Sequence, residues 1–125
     1  MTDDSTTSVR MYNVGFGDAF LVTVHRSNRV WRMLIDCGVH SQGQARPIKT
    51  IVRAIIDDLK RASGDGTPRL DVIVATHHHA DHISGFSLPD WQEVVVGEVW
   101  LPFVENQTDP DAQALRLTET AQRLL

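Results

Sequence analysis

Leu70-Asp71-Val72-Ile73-Val74-Ala75-Thr76-His77-His78-His79-Ala80-Asp81-His82 is the stretch on which the reading of this chain turns. Leu70 to Ala75 is a continuous run rich in β-branched residues, the pattern of a strand covered on both faces. Directly at its carboxyl end, His77, His79, Asp81 and His82 offer four donors within six residues. Zinc and similar borderline ions favour imidazole nitrogen and carboxylate oxygen, and catalytic sites keep a coordination position open. If the strand's alternation continues, His77 and His79 project to one side, and the following turn can aim Asp81 and His82 at a second point. One loop could then serve two metals. His78 lies between the ligand positions and should point away. A solvated His tract that binds metal adventitiously needs neither an Asp at a fixed offset nor a buried strand before it.

Upstream of this strand the period is helical. Ile48, Ile51, Val52, Ile55 and Leu59 fall on one stripe, Pro47 suits the first turn and Ser63-Gly64 the stop, so a helix over this span should pack on a sheet. Further back, Val9 to Asn13, Ala19 to Val24 and Val30 to Ile35 read as three adjacent short strands, with turns at Gly15-Phe16-Gly17-Asp18 and Ser27-Asn28. Downstream, Gly85 to Pro89 reads as loop, Asp90 to Glu93 as a short helix and Glu98 to Leu101 as a strand closed by Pro102. From Asp109 onward, Ala114, Leu117, Ala121 and Leu124 keep helical spacing to the last residue without a stop signal. Residues 1–8 are expected to be a disordered polar start, and residues 9–125 a partial domain.

The chain has 125 residues, 42% of them hydrophobic, enough for one globular domain with a single core. A formal net charge of −4 gives no global pull toward nucleic acid or an anionic membrane. Cys37 is the one cysteine, so an intrachain disulfide and a Cys-based structural zinc site are excluded. No secretory profile and no apolar run of bilayer length is present, and a soluble, cytoplasmic protein is expected.

His77-x-His79-x-Asp81-His82, preceded by an apolar strand and followed by Ile83-Ser84-Gly85, resembles the signature of the metallo-β-lactamase superfamily. Leu34-Ile35-Asp36-Cys37-Gly38 resembles that family's early strand ending in Asp-x-Gly, and Glu98-Val99-Trp100-Leu101-Pro102 the strand that follows the metal loop. The likeness covers most of residues 9 to 102. It implies that Asp36 braces the metal loop from behind; the lesser alternative, from residue type alone, is a turn former at a strand end. Cys37, with no His or basic neighbour in sequence, reads as a small buried filler and not as a ligand or nucleophile. Asn13-Val14-Gly15-Phe16-Gly17-Asp18-Ala19 resembles the opening hairpin of the branch that includes nuclease domains of bacterial DNA-uptake competence proteins. Gly15-x-Gly17 lacks the third glycine and the helix of a dinucleotide loop. Asp18 is expected to brace the turn or the site without being a ligand.

The implied fold class is α/β, the amino-terminal half of an αββα sandwich, with a mixed β-sheet and helices packed on one face. The implied activity is that of a zinc-dependent hydrolase. His77 and His79 would hold the first metal, Asp81 and His82 the second. Asp81 would be the catalytic residue, orienting a metal-bound hydroxide against an ester-like bond. The opening hairpin favours a phosphodiester, nucleic acid among them, although the acidic balance lends no support; β-lactam, lactone and thioester substrates stay open. The family's complete site also needs a third His, a bridging Asp and a last His, which this sequence does not supply after His82. The chain alone is therefore expected to be inactive, with zinc weak or absent, and a missing carboxyl-terminal half or self-association should cover its exposed sheet face. The rival reading is a structural or interaction half-domain that keeps the loop as a relic. No organic cofactor and no membrane partner is expected.

Overall fold

The computed structural model describes residues 4–123, with side chains through residue 117. Ser5–Met11 (β1), Gly15–Arg26 (β2) and Arg29–Gln44 (β3) form an antiparallel meander. Ile48–Ala62 (α1) then crosses over, and Arg69–Val74 (β4) and Val95–Trp100 (β5) add in parallel to give one sheet in the order β1-β2-β3-β4-β5. Between β4 and β5 lie a single helical turn, Ala80–Ile83 (α2), and two 3-10 turns, Ser84–Ser87 and Pro89–Glu93. A further 3-10 turn, Phe103–Glu105, precedes the last helix, Pro110–Arg123 (α3). Among the described residues no helix is long and apolar enough to cross a membrane.

The helical stripe packs as its spacing requires. Ile51, Val52, Ile55, Ile56 and Leu59 of α1 are buried in one cluster with Leu21, Leu34 and Ile73, which register places side by side across β2, β3 and β4. Lys60 and Arg61 sit in the last turn, where a positive charge suits the helix dipole. Arg53 and Lys60 pair with Glu93, and Arg53 also reaches Asp90, so the segment after the metal loop is tied back to α1. On the other face, Met11, Phe20, Ile35, Val74 and Trp100 form a continuous row across all five strands. This apolar row is partly or largely open to solvent, with Met11 71% and Trp100 50% exposed.

Several expected boundaries shift. Residues 5–8, placed in a disordered start by their polarity, extend β1 and pair with Thr23 to Arg26. A strand exposed on both faces is held by its backbone ladder and needs no apolar pattern. Residues 1–3 lie outside the described residues. Gly15 to Asp18 is no turn: it opens β2 and pairs with the far end of β3, while the chain reverses at Tyr12 to Val14. Asn13 accepts a hydrogen bond from the Gly15 N–H at 3.2 Å, and the positive φ of Gly15 completes the reversal. The expected loop and short helix over 85–93 are the two 3-10 turns, pinned by the Trp91 indole donating to the Gly85 carbonyl at 2.8 Å. In α3 the expected stripe is not buried: Ala114 and Leu117 are exposed and Ala112 is the buried residue. The Ala121 side chain and Leu124 lie outside what is described.

Two backbone approaches set the position of the loop from His77 to His82. A Cβ on Gly38 would come within 2.5 Å of the Ala80 carbonyl oxygen, and one on Gly17 within 2.9 Å of that of Asp81. The turn α2 therefore rests directly on β2 and β3. Gly38→Ala should lose about 1–3 kcal/mol in urea unfolding, because the clashing atoms are backbone and cannot swing aside. Gly64→Ala, with nothing within 4 Å, should leave the midpoint unchanged; equal losses in both variants would contradict this seating.

Cys37 is fully buried, and burial first, then the Asp36 charge, pushes its thiol from 9.0 up to about 12. Alkylation by iodoacetamide at pH 8 should be at least ~100-fold slower than for an exposed thiol. Between pH 9 and pH 12 the native thiol keeps a proton that the unfolded chain has lost, so this group makes stability fall as pH rises through that window. Urea midpoints measured across the range check the sign.

Candidate metal centre

The site is built outward from Asp36. Opposite it the β2–β3 register slips between Asp18 and Phe20, so Ala19 faces both Asp36 and Cys37 across a bulge. Asp36 itself takes the left-handed conformation, φ +59°, which Asp tolerates better than most side chains. The bulge and the turned backbone let two consecutive residues leave solvent in different directions. Cys37 enters the core, and Asp36, 3% exposed, faces the residues that follow β4.

A buried carboxylate needs partners, and Asp36 has three. Oδ1 accepts the Thr76 N–H at 2.7 Å; Oδ2 accepts the Thr76 hydroxyl at 2.5 Å and faces His82 Nδ1 at 2.9 Å. These contacts fix two imidazoles at once. The Thr76 hydroxyl spends its one hydrogen on Asp36, so toward His77 Nδ1, 3.0 Å away, it acts as acceptor. His77 Nδ1 therefore carries hydrogen and Nε2 is left for a metal. His82 Nδ1 faces only carboxylate oxygens, Asp36 and, at 3.3 Å, Asp18, so it also donates and presents Nε2 outward.

The loop sets the expected donors beside one another in pairs, while the three residues whose ligand atoms converge among the described residues are Asp18, Asp36 and His82. The His77 ring stacks against His79 at 6.2 Å between centroids and lies 4.6 Å from His82. His82 Nε2 stands 3.4 Å from an Asp81 carboxylate oxygen. Two donors about 2.1 Å from one tetrahedral ion are themselves about 3.4 Å apart, so this pair fits a shared cation. His78 turns elsewhere, with Nδ1 3.5 Å from Glu105 in the 3-10 turn after β5. Ser84 locks the far end of α2: its hydroxyl accepts the Val39 N–H at 3.0 Å and donates to the Val39 carbonyl.

Asp18 was expected to brace the turn or the site without being a ligand, and the structure instead sets it among potential ligands. Asp18, Asp36 and His82 each offer one ligand atom within 4.8 Å of the others, which makes them a candidate metal-ligand cluster among the described residues; holding an ion there on Nδ1 would take the place of the hydrogen that Nδ1 donates to the carboxylates. The signal was present in Gly17-Asp18, since only a glycine lets β2 approach the Asp81 backbone and so delivers the next side chain to the loop. Which side of the strand Asp18 would take depended on the bulge, and no residue pattern announces that bulge.

The family model described as the metallo-beta-lactamase superfamily matches residues 12–88, more than half of the 125 residues. No curated protein and no solved structure matches the chain. The matched span runs from the reversal before β2 through β3, α1 and β4 to the 3-10 turn that locks the metal loop. With that match and this loop, the chain belongs to the metallo-β-lactamase superfamily.

Proposed function

We propose that this chain supplies the metal-binding loop of a metal-dependent hydrolase that cleaves an ester-like bond, a phosphodiester by preference. The observation that carries the reading is the pair of imidazoles fixed by one carboxylate: Asp36 orients His82 directly and His77 through Thr76, leaving both Nε2 atoms outward. A structural relic has no use for tautomers held ready for ligation. Imidazole and carboxylate donors suit zinc. Bound zinc supplies Lewis acidity and lowers the pKa of a coordinated water toward ~7.

The roles proposed for the chain's own groups are as follows. His77 and His79 would hold one ion and Asp81 and His82 the other, and Asp81, whose carboxylate lies 3.4 Å from His82 Nε2, would also orient a nucleophile. Asp36 stays a brace, with both of its oxygens engaged: Oδ1 by the Thr76 N–H, and Oδ2 by the Thr76 hydroxyl and His82 Nδ1. Asp18, 41% exposed against 4% for Asp36, is the more accessible of the two carboxylates to a cation. The preference for a phosphodiester rests on the resemblance of the Asn13–Ala19 segment alone.

Asp36→Gly removes the carboxylate while easing the positive φ, so it separates bracing from backbone strain. Zinc affinity should fall about 10- to 100-fold in Asp36→Gly, and His78→Ala should leave it unchanged. Affinity intact in Asp36→Gly would remove the basis of the proposal.

Two donors per ion is one fewer than the three that catalytic zinc takes. The 125 residues by themselves should therefore hold zinc loosely, lose it to a chelator and show no turnover of a chromogenic phosphodiester or a β-lactam. Elemental analysis after dialysis against micromolar zinc tests this. Two tightly held equivalents with metal-dependent turnover would show that residues outside the loop complete both sites.

A further inference from the structure

A cavity of about 490 Å³ lies on the α1 side of the sheet, between the last turn of α1 and strands β1 to β3. Arg10, Arg32 and Arg61 line it, and Asp58 is the one carboxylate among its lining residues. The local charge thus runs against that of the whole chain, which is −4. Ser8, Thr23 and His25 add hydroxyl and imidazole donors to the wall. Leu21 and Leu59 form an apolar floor.

Asp58 acts as a pillar. Its side chain is 10% exposed and is engaged by Arg10 at 3.2 Å, by Arg61 and by the Tyr12 hydroxyl at 2.7 Å. A single carboxylate cannot occupy the ten N–H donors of two guanidiniums, so most of them are not taken up by Asp58. Arg10 also lies over the Tyr12 ring, 5.4 Å from its centroid, which further limits where its fork can point. The negative end of α1 opposes an anion here, and Arg32 stands on it, donating to the Ala62 carbonyl at 3.3 Å. Pairs as exposed as these, with Arg10 at 64% and Arg61 at 71%, contribute little to stability on their own. Planar guanidinium forks gathered at one wall and anchored on a carboxylate are suited to bidentate binding of an oxyanion.

We propose that this cavity is a binding site for a phosphoryl oxyanion, carried on a small phosphomonoester or as free phosphate. The forks of Arg10 and Arg61 take the oxygens, Arg32 and the hydroxyls of Ser8 and Thr23 close around them, and an organic group rests on Leu21 and Leu59. None of these residues belongs to the metal loop, so the site stands whether or not the loop holds zinc.

The test uses chelator-treated protein, so that a metal cannot capture the anion, at constant ionic strength. Inorganic phosphate and glycerol 3-phosphate are titrated while backbone amide shifts are followed by NMR. Saturable shifts are expected at Ser8, Thr23 and Arg32. The dissociation constant should rise at least about tenfold in an Arg10→Gln, Arg61→Gln double variant. Because that variant strands the Asp58 charge, Arg32→Gln serves as the second, with all pairs to Asp58 intact; it should weaken binding roughly threefold or more. His77→Ala should have no effect. Tighter binding of glycerol 3-phosphate than of phosphate assigns the site to esters, and the reverse assigns it to the free ion. Absence of saturation, an affinity unchanged in Arg32→Gln, or shifts confined to the metal loop and lost in His77→Ala would overturn the proposal.

Discussion

A buried carboxylate with three hydrogen-bond partners organises this protein's candidate centre. Taking Asp36 out of water costs several kcal/mol before any contact is made. The cost is met only if Thr76 N–H, Thr76 hydroxyl and His82 Nδ1 all arrive in place, so the strand end, the loop and the following turn are ordered together or not at all. The same three contacts set which nitrogen each imidazole offers. Folding of the loop and readiness for a metal are therefore one event, a coupling that metal sites exploit because ligands must be positioned before an ion can profit from them.

Close backbone packing makes the arrangement reachable. Without a side chain at Gly17 and Gly38, the turn α2 sits against two strands at a separation that any Cβ would forbid. The bulge and the positive φ of Asp36 are local departures from regular strand geometry in the same few residues. Such departures carry a cost of order 1–3 kcal/mol each, offset here by the surrounding hydrogen bonds and by the burial of Cys37 and Val39. Strain collects where the chain positions its donors, and the regular parts of the sheet absorb it.

What could be read from the sequence follows the same division. The stripe from Ile48 to Leu59 and the run from Leu70 to Ala75 state a helix and a buried strand through period alone, and both lie where expected to within a residue or so. The loop from His77 to His82 was legible because donor type and offset are chemical facts of the residues themselves. Ser5 to Ser8 was not legible as strand, since an edge strand exposed on both faces carries no apolar period. Gly15 to Asp18 looked like a turn because glycines usually mark one; its glycines instead answer to close backbone approaches from distant segments, Gly15 to Gly43–Ala45 and Gly17 to Gly38, Val39 and Asp81. The role of Asp18 depended on that long-range contact, and Cys37 read as a buried filler because nothing near it in sequence could activate it.

The location of the centre has a topological cause. β3 pairs with β4 only from Met33 to Ile35, then continues alongside β2 as far as Gln44, while β4 stops at Val74. The sheet forks at that level, and it is also where its pairing changes from antiparallel to parallel. Ligands of open α/β sheets bind outside the carboxyl ends of strands at such changes of direction, because the connections diverge there and leave a crevice. In this chain the crevice is floored by the continuing part of β3, whose Asp36 and Gly38 face the loop leaving β4. A loop of four metal donors placed at any other strand end would meet a neighbour that had already turned away. At the fork it meets one that runs on beneath it, and that difference turns a cluster of donors into a positioned site.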